Sequence, residues 1–477
     1  MSDFMICSYI INFIMIIVIV FFQRRDPIVS IAWVMCFMFM PLLGPILFMV
    51  FGLGIKRRTS RVYHKKQMYG DELAARLAKQ LDFLDLDAAR EIHDLDVVRY
   101  LCKYNCLFTD NNEVEIFTDA EKKYERLLAD IESATESINL LYFIIRKDEI
   151  GTRIMDALVK KADEGVTVRL LYDSFGCFFT PKSFLRRLNK TKCGKAASFF
   201  PVSIFTLSKI NHRNHRKIAV IDEKTAYIGG MNIGDEYMGR KKPAPWRDTH
   251  IRITGEAVGQ VYRYFCLDWD FSTRDNLSDT LRATPTGEKE PAHERGIPMQ
   301  IVVSGPDSPA EEIKCGMIKL INNARKYVYI QTPYFIPDEA ILNALMIAVK
   351  SGIEVNIMIP CMPDHPFVYW ATYSYIGDMV MAGANCYTYN NGFLHSKGMI
   401  VDGKVLCYGT ANMDIRSFAL NFEVNAVIYD EKKAQEMVDI FQKDMEVCRQ
   451  ITRDYYVARR LKIRIKEQIC RLLSPLL

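Results

Sequence analysis

Apolar residues crowd the front of the chain. Phe4 to Phe22 runs 19 residues without a charge and Ile28 to Ile55 is longer still, so each is long enough to cross a ~30 Å hydrocarbon core as a helix. Only Gln23-Arg24-Arg25-Asp26-Pro27 separates them, which predicts a helical hairpin over residues 1–55. Pro41, Gly44 and Pro45 bend the second segment, which leaves both a bent span and a re-entrant one open for it. A cleaved leader is not expected: no Lys or Arg precedes the first span, no Ala-x-Ala site ends it, and another apolar span follows at once. Residues 56–105 are polar and helix-prone and read as a connector.

Beyond the connector the pattern changes to helices alternating with buried strands, and it does so twice. Ala157-Leu158 leads through Gly165 to Val166-Thr167-Val168-Arg169-Leu170-Leu171-Tyr172-Asp173. Ala344-Leu345 leads through Gly352 to Ile353-Glu354-Val355-Asn356-Ile357-Met358-Ile359-Pro360. Tyr142-Phe143-Ile144 and Tyr334-Phe335-Ile336 precede the two copies. Each reads as a helix, a glycine stop and a strand, which predicts two duplicated α/β domains, 106–274 and 299–455, with mixed sheets flanked by helices. Between them Asp275 to Pro298 loses its apolar periodicity and reads as a surface linker.

The 477 residues, 49% of them hydrophobic, suffice for two such domains and the hairpin. The net charge of +5 is weak globally, but Lys56, Arg57, Arg58, Arg61, Lys65 and Lys66 follow the hairpin, so positive-inside bias places the bulk of the protein in the cytoplasm. The thirteen scattered cysteines fit that compartment and read as packing residues, and Cys102-x3-Cys106 lacks a second ligand pair for zinc. In the tail, 456–477, Val457, Leu461, Ile465, Ile469 and Leu472 share one helical stripe among six Lys and Arg residues. That stripe either binds an anionic membrane surface or docks on the protein's own core. Phe178-Phe179, Phe199-Phe200 and Tyr369-Trp370 are suited to an acyl groove or a membrane interface, but core packing is the favoured reading.

The chemistry is carried by a second duplication. His-x-Lys-x4-Asp occurs as His215/Lys217/Asp222 and as His395/Lys397/Asp402, 180 residues apart, and after six intervening residues each is followed by Gly-x-x-Asn, ending in Asn232 and Asn412. Each histidine leads an apolar strand, so the His and Lys at i and i+2 project together. Phosphodiester exchange needs a nucleophile, an acid for the leaving alkoxide and positive charge on the non-bridging oxygens. Two imidazoles, two ammonium groups and two carboxamides supply all three, with no cofactor or metal called for. The glycines let backbone approach a phosphate. Asp222 and Asp402 complete the motifs, but at strand ends they are placed to stabilise the fold rather than to touch substrate.

The paired motifs resemble those of the phospholipase D superfamily. In that superfamily an acid downstream orients each histidine, which implies Asp248 and Glu423, 33 and 28 residues after their histidines. Arg24-Arg25-Asp26-Pro27, Pro41-Leu42-Leu43-Gly44-Pro45, Asn211-His212-Arg213-Asn214-His215-Arg216-Lys217, Trp246-Arg247-Asp248-Thr249-His250, Thr332-Pro333-Tyr334-Phe335 and Gly392-Phe393-Leu394-His395 resemble bacterial cardiolipin synthases, essentially end to end. The resemblance implies two α/β domains sharing one active site and a multi-pass protein of the bacterial inner membrane. It also implies phosphatidyl transfer between two phosphatidylglycerol molecules, through a phosphohistidine on His215 with His395 as acid and then base, roles the sequence leaves interchangeable. A hydrolytic phospholipase D would use the same residues. A tethered nuclease is disfavoured by the modest charge, which gives no reason to expect a nucleic-acid partner, and a scaffold would not need both motifs. Oligomeric state is left open.

Overall fold

A computed structural model of the chain describes residues 3–23, 27–52, 80, 94–201, 211–240, 245–281, 296–308 and 310–474. The basic clusters at 24–25 and 56–66, most of the connector, the greater part of the 275–298 linker, and His64, His93 and His293 lie outside the described residues.

At the front, Asp3–Ile17 and Val18–Phe22 form one continuous apolar helix, of which Met5–Phe22 is long enough to cross a membrane. The second apolar segment is broken, as its prolines predict: helix Pro27–Phe39 ends, and Gly44–Leu47 begins a short separate turn. A break in an apolar segment leaves carbonyls without helical partners, and water is not there to meet them. The first helix supplies the donors. Asn12 Nδ2 donates to Phe37 O (3.3 Å) and Pro41 O (2.9 Å), and Ser8 Oγ donates to Pro41 O (2.7 Å). Trp33, Phe37 and Phe48 close the contact with ring centroids 5.1–6.2 Å apart.

The duplication appears strand for strand in two sheets. The first half orders its strands Asn112–Phe117, His250–Gly255, Thr225–Gly229, Ile218–Ile221, Ser137–Tyr142, Thr167–Asp173, Gly194–Phe199. The second orders Met299–Ser304, Glu423–Ile428, Val405–Gly409, Gly398–Val401, Tyr327–Gln331, Glu354–Pro360, Asn385–Tyr389, with Phe108–Thr109 and Cys448–Gln450 added at its two edges. In both, the last three strands of the repeat run parallel and the rest pair antiparallel. The helices behave alike as well. Asp148 and Asp338 cap the N-termini of Glu149–Asp163 and Glu339–Lys350 by accepting from Gly151 N and Ile341 N. Past their C-termini, Gly165 and Gly352 adopt left-handed φ of 103° and 88°, turning the chain into the next strand.

Helices Ala257–Thr273 and Glu431–Met445 each cover their own sheet, and their buried faces join one core shared by both halves. Phe265, Trp269, Ile218 and Ile251 from the first half lie in the same cluster as Phe441, Ile400, Leu406 and Val424 from the second. Apolar burial is roughly additive in area, so a common core makes separation of the halves costly and fixes the seam between them. Phe199 and Phe200 are buried in this core, as expected, but Phe178 and Phe179 are exposed, a departure from the packing expected of them.

Candidate active site

The two His-x-Lys runs enter their strands at the seam, on the edge of each sheet where the parallel strands end. Two exchanges of backbone hydrogen bonds stitch the halves there. His215 N donates to Phe422 O (2.9 Å) while Phe422 N donates to Arg213 O (2.8 Å). His395 N donates to Arg247 O (2.7 Å), next to the parallel pairing of Phe393–Leu394 with Trp246–Arg247. In each exchange the residue that accepts from the histidine immediately precedes the acid of the opposite half, Glu423 or Asp248.

The acids are therefore crossed. His215 Nδ1 lies 2.9 and 3.0 Å from the two carboxylate oxygens of Glu423, and His395 Nδ1 lies 2.6 Å from Asp248 Oδ2. The sequence spacing pointed to Asp248 for His215 and Glu423 for His395, and the geometry reverses that assignment. Acid and histidine of one half stand at strands of one sheet that are separated by a third, Thr225–Gly229 or Val405–Gly409, whereas the seam brings each acid onto the facing half's histidine. Thr410 Oγ1 donates to Glu423 Oε2 (2.6 Å), and Thr249 N donates to Asp248 Oδ1 (2.7 Å), so each carboxylate is itself fixed. Nε2 of each imidazole makes no protein hydrogen bond among the described residues, which leaves it presented to the cleft.

Lys217 and Lys397 are buried beside them. Each ammonium donates to the carbonyl of its own motif's histidine, Lys217 Nζ at 2.7 Å, and Lys397 Nζ also stands 4.0 Å from Asp248 Oδ2. Burial drives Lys397 down to about 8 and Lys217 well below the ordinary lysine value, with Asp248 and Glu423 opposing it in both. Burial likewise lowers both histidines, His395 to about 4, and Lys397 and Lys217 add to the effect against the pull of the carboxylates. Burial alone would raise the acids. Lys397 and His395 nevertheless hold Asp248 below its usual value, and His215 and Lys217 do the same for Glu423. At neutral pH the centre thus holds two neutral imidazoles, each donating Nδ1–H to an ionised carboxylate.

The other sequence candidates are placed as follows. Asp222 accepts from the backbone N–H groups of Thr135, Glu136 and Ser137, each at 2.8 Å, and Asp402 accepts from those of Arg325, Lys326 and Tyr327 at 2.7–2.9 Å. Both sit in turns at the far ends of the motif strands and lock the preceding strand, away from the imidazoles. Asn232 already bonds protein: its Oδ1 accepts from Ile144 N (3.0 Å) and its Nδ2 donates to Tyr237 OH (2.7 Å). The Asn412 amide bonds Asp414, and its Oδ1 is buried without a hydrogen-bond partner among the described residues. The glycines make room for protein rather than ligand. A Cβ on Gly230 would lie 2.0 Å from Asp248 Oδ1, and one on Gly409 would lie 2.2 Å from Val424 O.

Sequence reasoning missed several contributors. Trp246, Tyr237 and Phe393 surround the His395 ring at centroid distances of 4.8, 5.9 and 6.0 Å, and Phe143 meets the His215 ring edge-on at 5.1 Å. Phe143 lay in the repeated Tyr-Phe-Ile segment, and Trp246 and Phe393 lay in segments that resemble the family, which were the available signals. Behind Asp248, Lys123 is fully buried on helix Ala120–Ser133 and, among the described residues, has only Tyr142 OH (3.2 Å) as a hydrogen-bond partner, and burial pulls it down to about 7 against the attraction of Asp248.

A family model described as "Cardiolipin synthase, PLD-like domain" matches residues 127–265 and 317–445, one match over each half of this centre. The chain belongs to the cardiolipin synthase family of the phospholipase D superfamily. A second model, "Phospholipase_D-nuclease N-terminal", matches residues 10–52. The cardiolipin synthase of Oceanobacillus iheyensis is 45% identical over 480 residues, spanning 98% of both chains. The major cardiolipin synthase ClsA of Bacillus subtilis is 45% identical over 478 residues, again spanning 98% of both. A solved phosphatidylserine synthase from Haemophilus influenzae shares the fold, with a TM-score of 0.62 over 80% of this chain and 100% of that one at 14% identity. As a family member the protein is a membrane-associated phosphatidyltransferase of phospholipid biosynthesis, with phospholipid substrates.

Proposed function

We propose that the enzyme transfers a phosphatidyl group from one phosphatidylglycerol to a second, giving cardiolipin and glycerol, through a phosphohistidine. The observation that carries this reading is the pair of neutral imidazoles, each oriented at Nδ1 by a crossed carboxylate and open at Nε2, between two buried lysines. His215 Nε2 attacks the donor phosphorus; the P–O bond to the glycerol headgroup breaks, and His395 supplies the proton the leaving oxygen takes. The acceptor's terminal hydroxyl then attacks the phosphohistidine, giving its proton to His395 as the N–P bond breaks. Lys217 and Lys397 hold the non-bridging oxygens, assisted by the amide N–H groups that Asn232 and Asn412 do not give to Tyr237 and Asp414. Burial chiefly depresses His395 and the lysine charge adds to it; an incoming phosphodiester anion offsets that charge, so substrate binding favours the imidazolium the first step needs.

In this reading the apolar N-terminal segments cross the inner membrane more than once, with both α/β halves in the cytoplasm. Anchoring keeps acceptor lipid locally concentrated, and the buried site keeps water scarce, so transfer outruns hydrolysis. The test is turnover of phosphatidylglycerol carrying labelled glycerol, beside His215→Ala and His395→Ala. Cardiolipin plus labelled glycerol, absent with both variants, is the expected result; phosphatidic acid plus glycerol would make the enzyme a hydrolase and overturn the transfer step.

A further inference from the structure

Phe178 and Phe179 are 65% and 85% exposed, yet the loop that carries them is rigidly built. Asp173 Oδ1 accepts from Phe175 N (2.9 Å) and Gly176 N (3.0 Å), and Thr180 Oγ1 donates to Ile145 O (2.6 Å). Gly176 has no room for a side chain, since a Cβ would lie 2.1 Å from Phe143 O. The loop is thus pinned to residues 143–145, whose Phe143 ring abuts His215. Two solvent-facing phenylalanines held stiffly at the mouth of a polar cleft are costly in water and need a partner.

The second half presents a matching surface. Helix Leu461–Leu472 docks on helix Pro366–Ala382, which follows the equivalent parallel strand: Arg471 Nη1 pairs with Asp378 (2.6 Å), and Lys466 Nζ stands 5.2 Å over the Trp370 ring. Glu467 and Cys470 face inward. The apolar stripe does not. Leu461, Ile465, Ile469 and Leu472 all point outward, Leu461 and Leu472 at 70% and 81% exposure. Of the two arrangements open to the tail, the helix adopts docking but leaves its apolar face uncovered.

We propose that the Phe178–Phe179 tip and the outward stripe of Leu461–Leu472 together seat the catalytic body on an anionic phospholipid surface. This contact is separate from the N-terminal apolar helices, and it rests on the reading of the cleft as one that works on phospholipids. The choice of occupant follows from charge. Arg460, Lys462, Arg464 and Lys466 are exposed around the stripe, while the helix's one acid, Glu467, is buried against Arg459 at 2.8 Å. An apolar stripe whose exposed charged neighbours on the helix are all cations suits acyl chains below and anionic headgroups around. The Phe178–Phe179 loop follows the carboxyl end of parallel strand Thr167–Asp173, and the tail helix packs on the helix that follows the carboxyl end of Glu354–Pro360, the edge on which His215 and His395 also lie. Docking there sets the cleft mouth against the headgroups.

The test places a tryptophan at Phe179→Trp or Ile465→Trp in the full chain, reconstituted in phosphatidylcholine–phosphatidylglycerol vesicles containing dibromo-phosphatidylcholine. Emission above the parent protein's is expected to be largely quenched at both positions, and the Ile465→Trp quenching to weaken when phosphatidylglycerol is omitted. Ile347→Trp serves as the reference: it is exposed near the end of helix Glu339–Lys350 that feeds the start of strand Glu354–Pro360, on the opposite sheet edge, and is expected to stay unquenched. Quenching at only one of the two positions or neither, equal quenching at Ile347→Trp, or shielding that depends on protein concentration rather than brominated lipid, as contact with a second copy would give, overturns the proposal. Because quenching is read without turnover, a protein that docks but yields no cardiolipin would count against the transfer reading alone.

Discussion

His395 and Asp248 meet at 2.6 Å although they belong to different halves of the duplication, and Glu423 returns the exchange by holding His215. Each histidine therefore takes its tautomer from the opposite half. Asp248→Asn and Glu423→Gln keep the shape but can offer an N–H where an acceptor is needed. Each is expected to lower kcat by about 10²–10⁴-fold with little change in KM, measured as cardiolipin formation from phosphatidylglycerol.

Burial and the two lysines leave His395 titrating at about 4 instead of the ordinary 6.5. Because the value is depressed, the imidazole stays neutral and nucleophilic as pH falls through the usual histidine range. Carbethoxylation of His395, followed by peptide mass spectrometry, is expected to keep its rate at pH 6 and decline only towards pH 4. A rate that halves near 6.5 would contradict the burial account. Lys397→Met removes a charge that disfavours the imidazolium and is expected to move the decline to higher pH.

Gly230 lies where any side chain would collide with the Asp248 carboxylate. Gly230→Ala is expected to push Asp248 off His395 and reproduce the kcat loss of Asp248→Asn. Gly165→Ala, in open space at a helix end but at a φ of 103°, should cost about 1 kcal/mol of stability and leave kcat unchanged. Melting curves beside steady-state rates separate the two.

Asp222→Ala and Asp402→Ala each strip the acceptor from three backbone N–H groups. The expected loss is about 1–3 kcal/mol of stability apiece, with kcat per folded molecule nearly intact. A collapse of kcat in a protein that melts normally would return these aspartates to the catalytic set.

Lys123 is depressed to about 7 by burial, so the folded state resists its protonation. The sign is that of a lowered folded value: its favourable contribution is complete only above the ordinary lysine value of 10.5 and is lost as pH falls through 7. Lys123→Met is expected to raise stability at pH 7 by about 1–3 kcal/mol and to flatten the rise in Tm that the parent shows between pH 7 and 9.

Much of this was legible in the chain because it repeats. The two His-x-Lys-x4-Asp motifs and the Gly165 and Gly352 stops are local signals, and two copies of each specify two sheets of one topology. Pro41 and Gly44 announced the break in the second apolar segment, since a missing N–H and a missing Cβ act wherever they sit. The crossing of Asp248 and Glu423 was not legible. Spacing along the chain favours the nearer histidine, and only the packing of one half on the other decides which face meets which. Phe178 and Phe179 were misjudged for a related reason: an apolar pair has the same composition in a core or on a rim, and the bond from Thr180 to Ile145 that holds the loop outward joins residues far apart in sequence.

The ribosome makes His215 208 residues before it makes Glu423. In the proposed mechanism a nascent chain therefore carries a nucleophile whose ring the Glu423 carboxylate does not yet orient. On that proposal, crossing the acids ties chemical competence to synthesis of the second half, since a chain that ends before Glu423 lacks the carboxylate that orients His215.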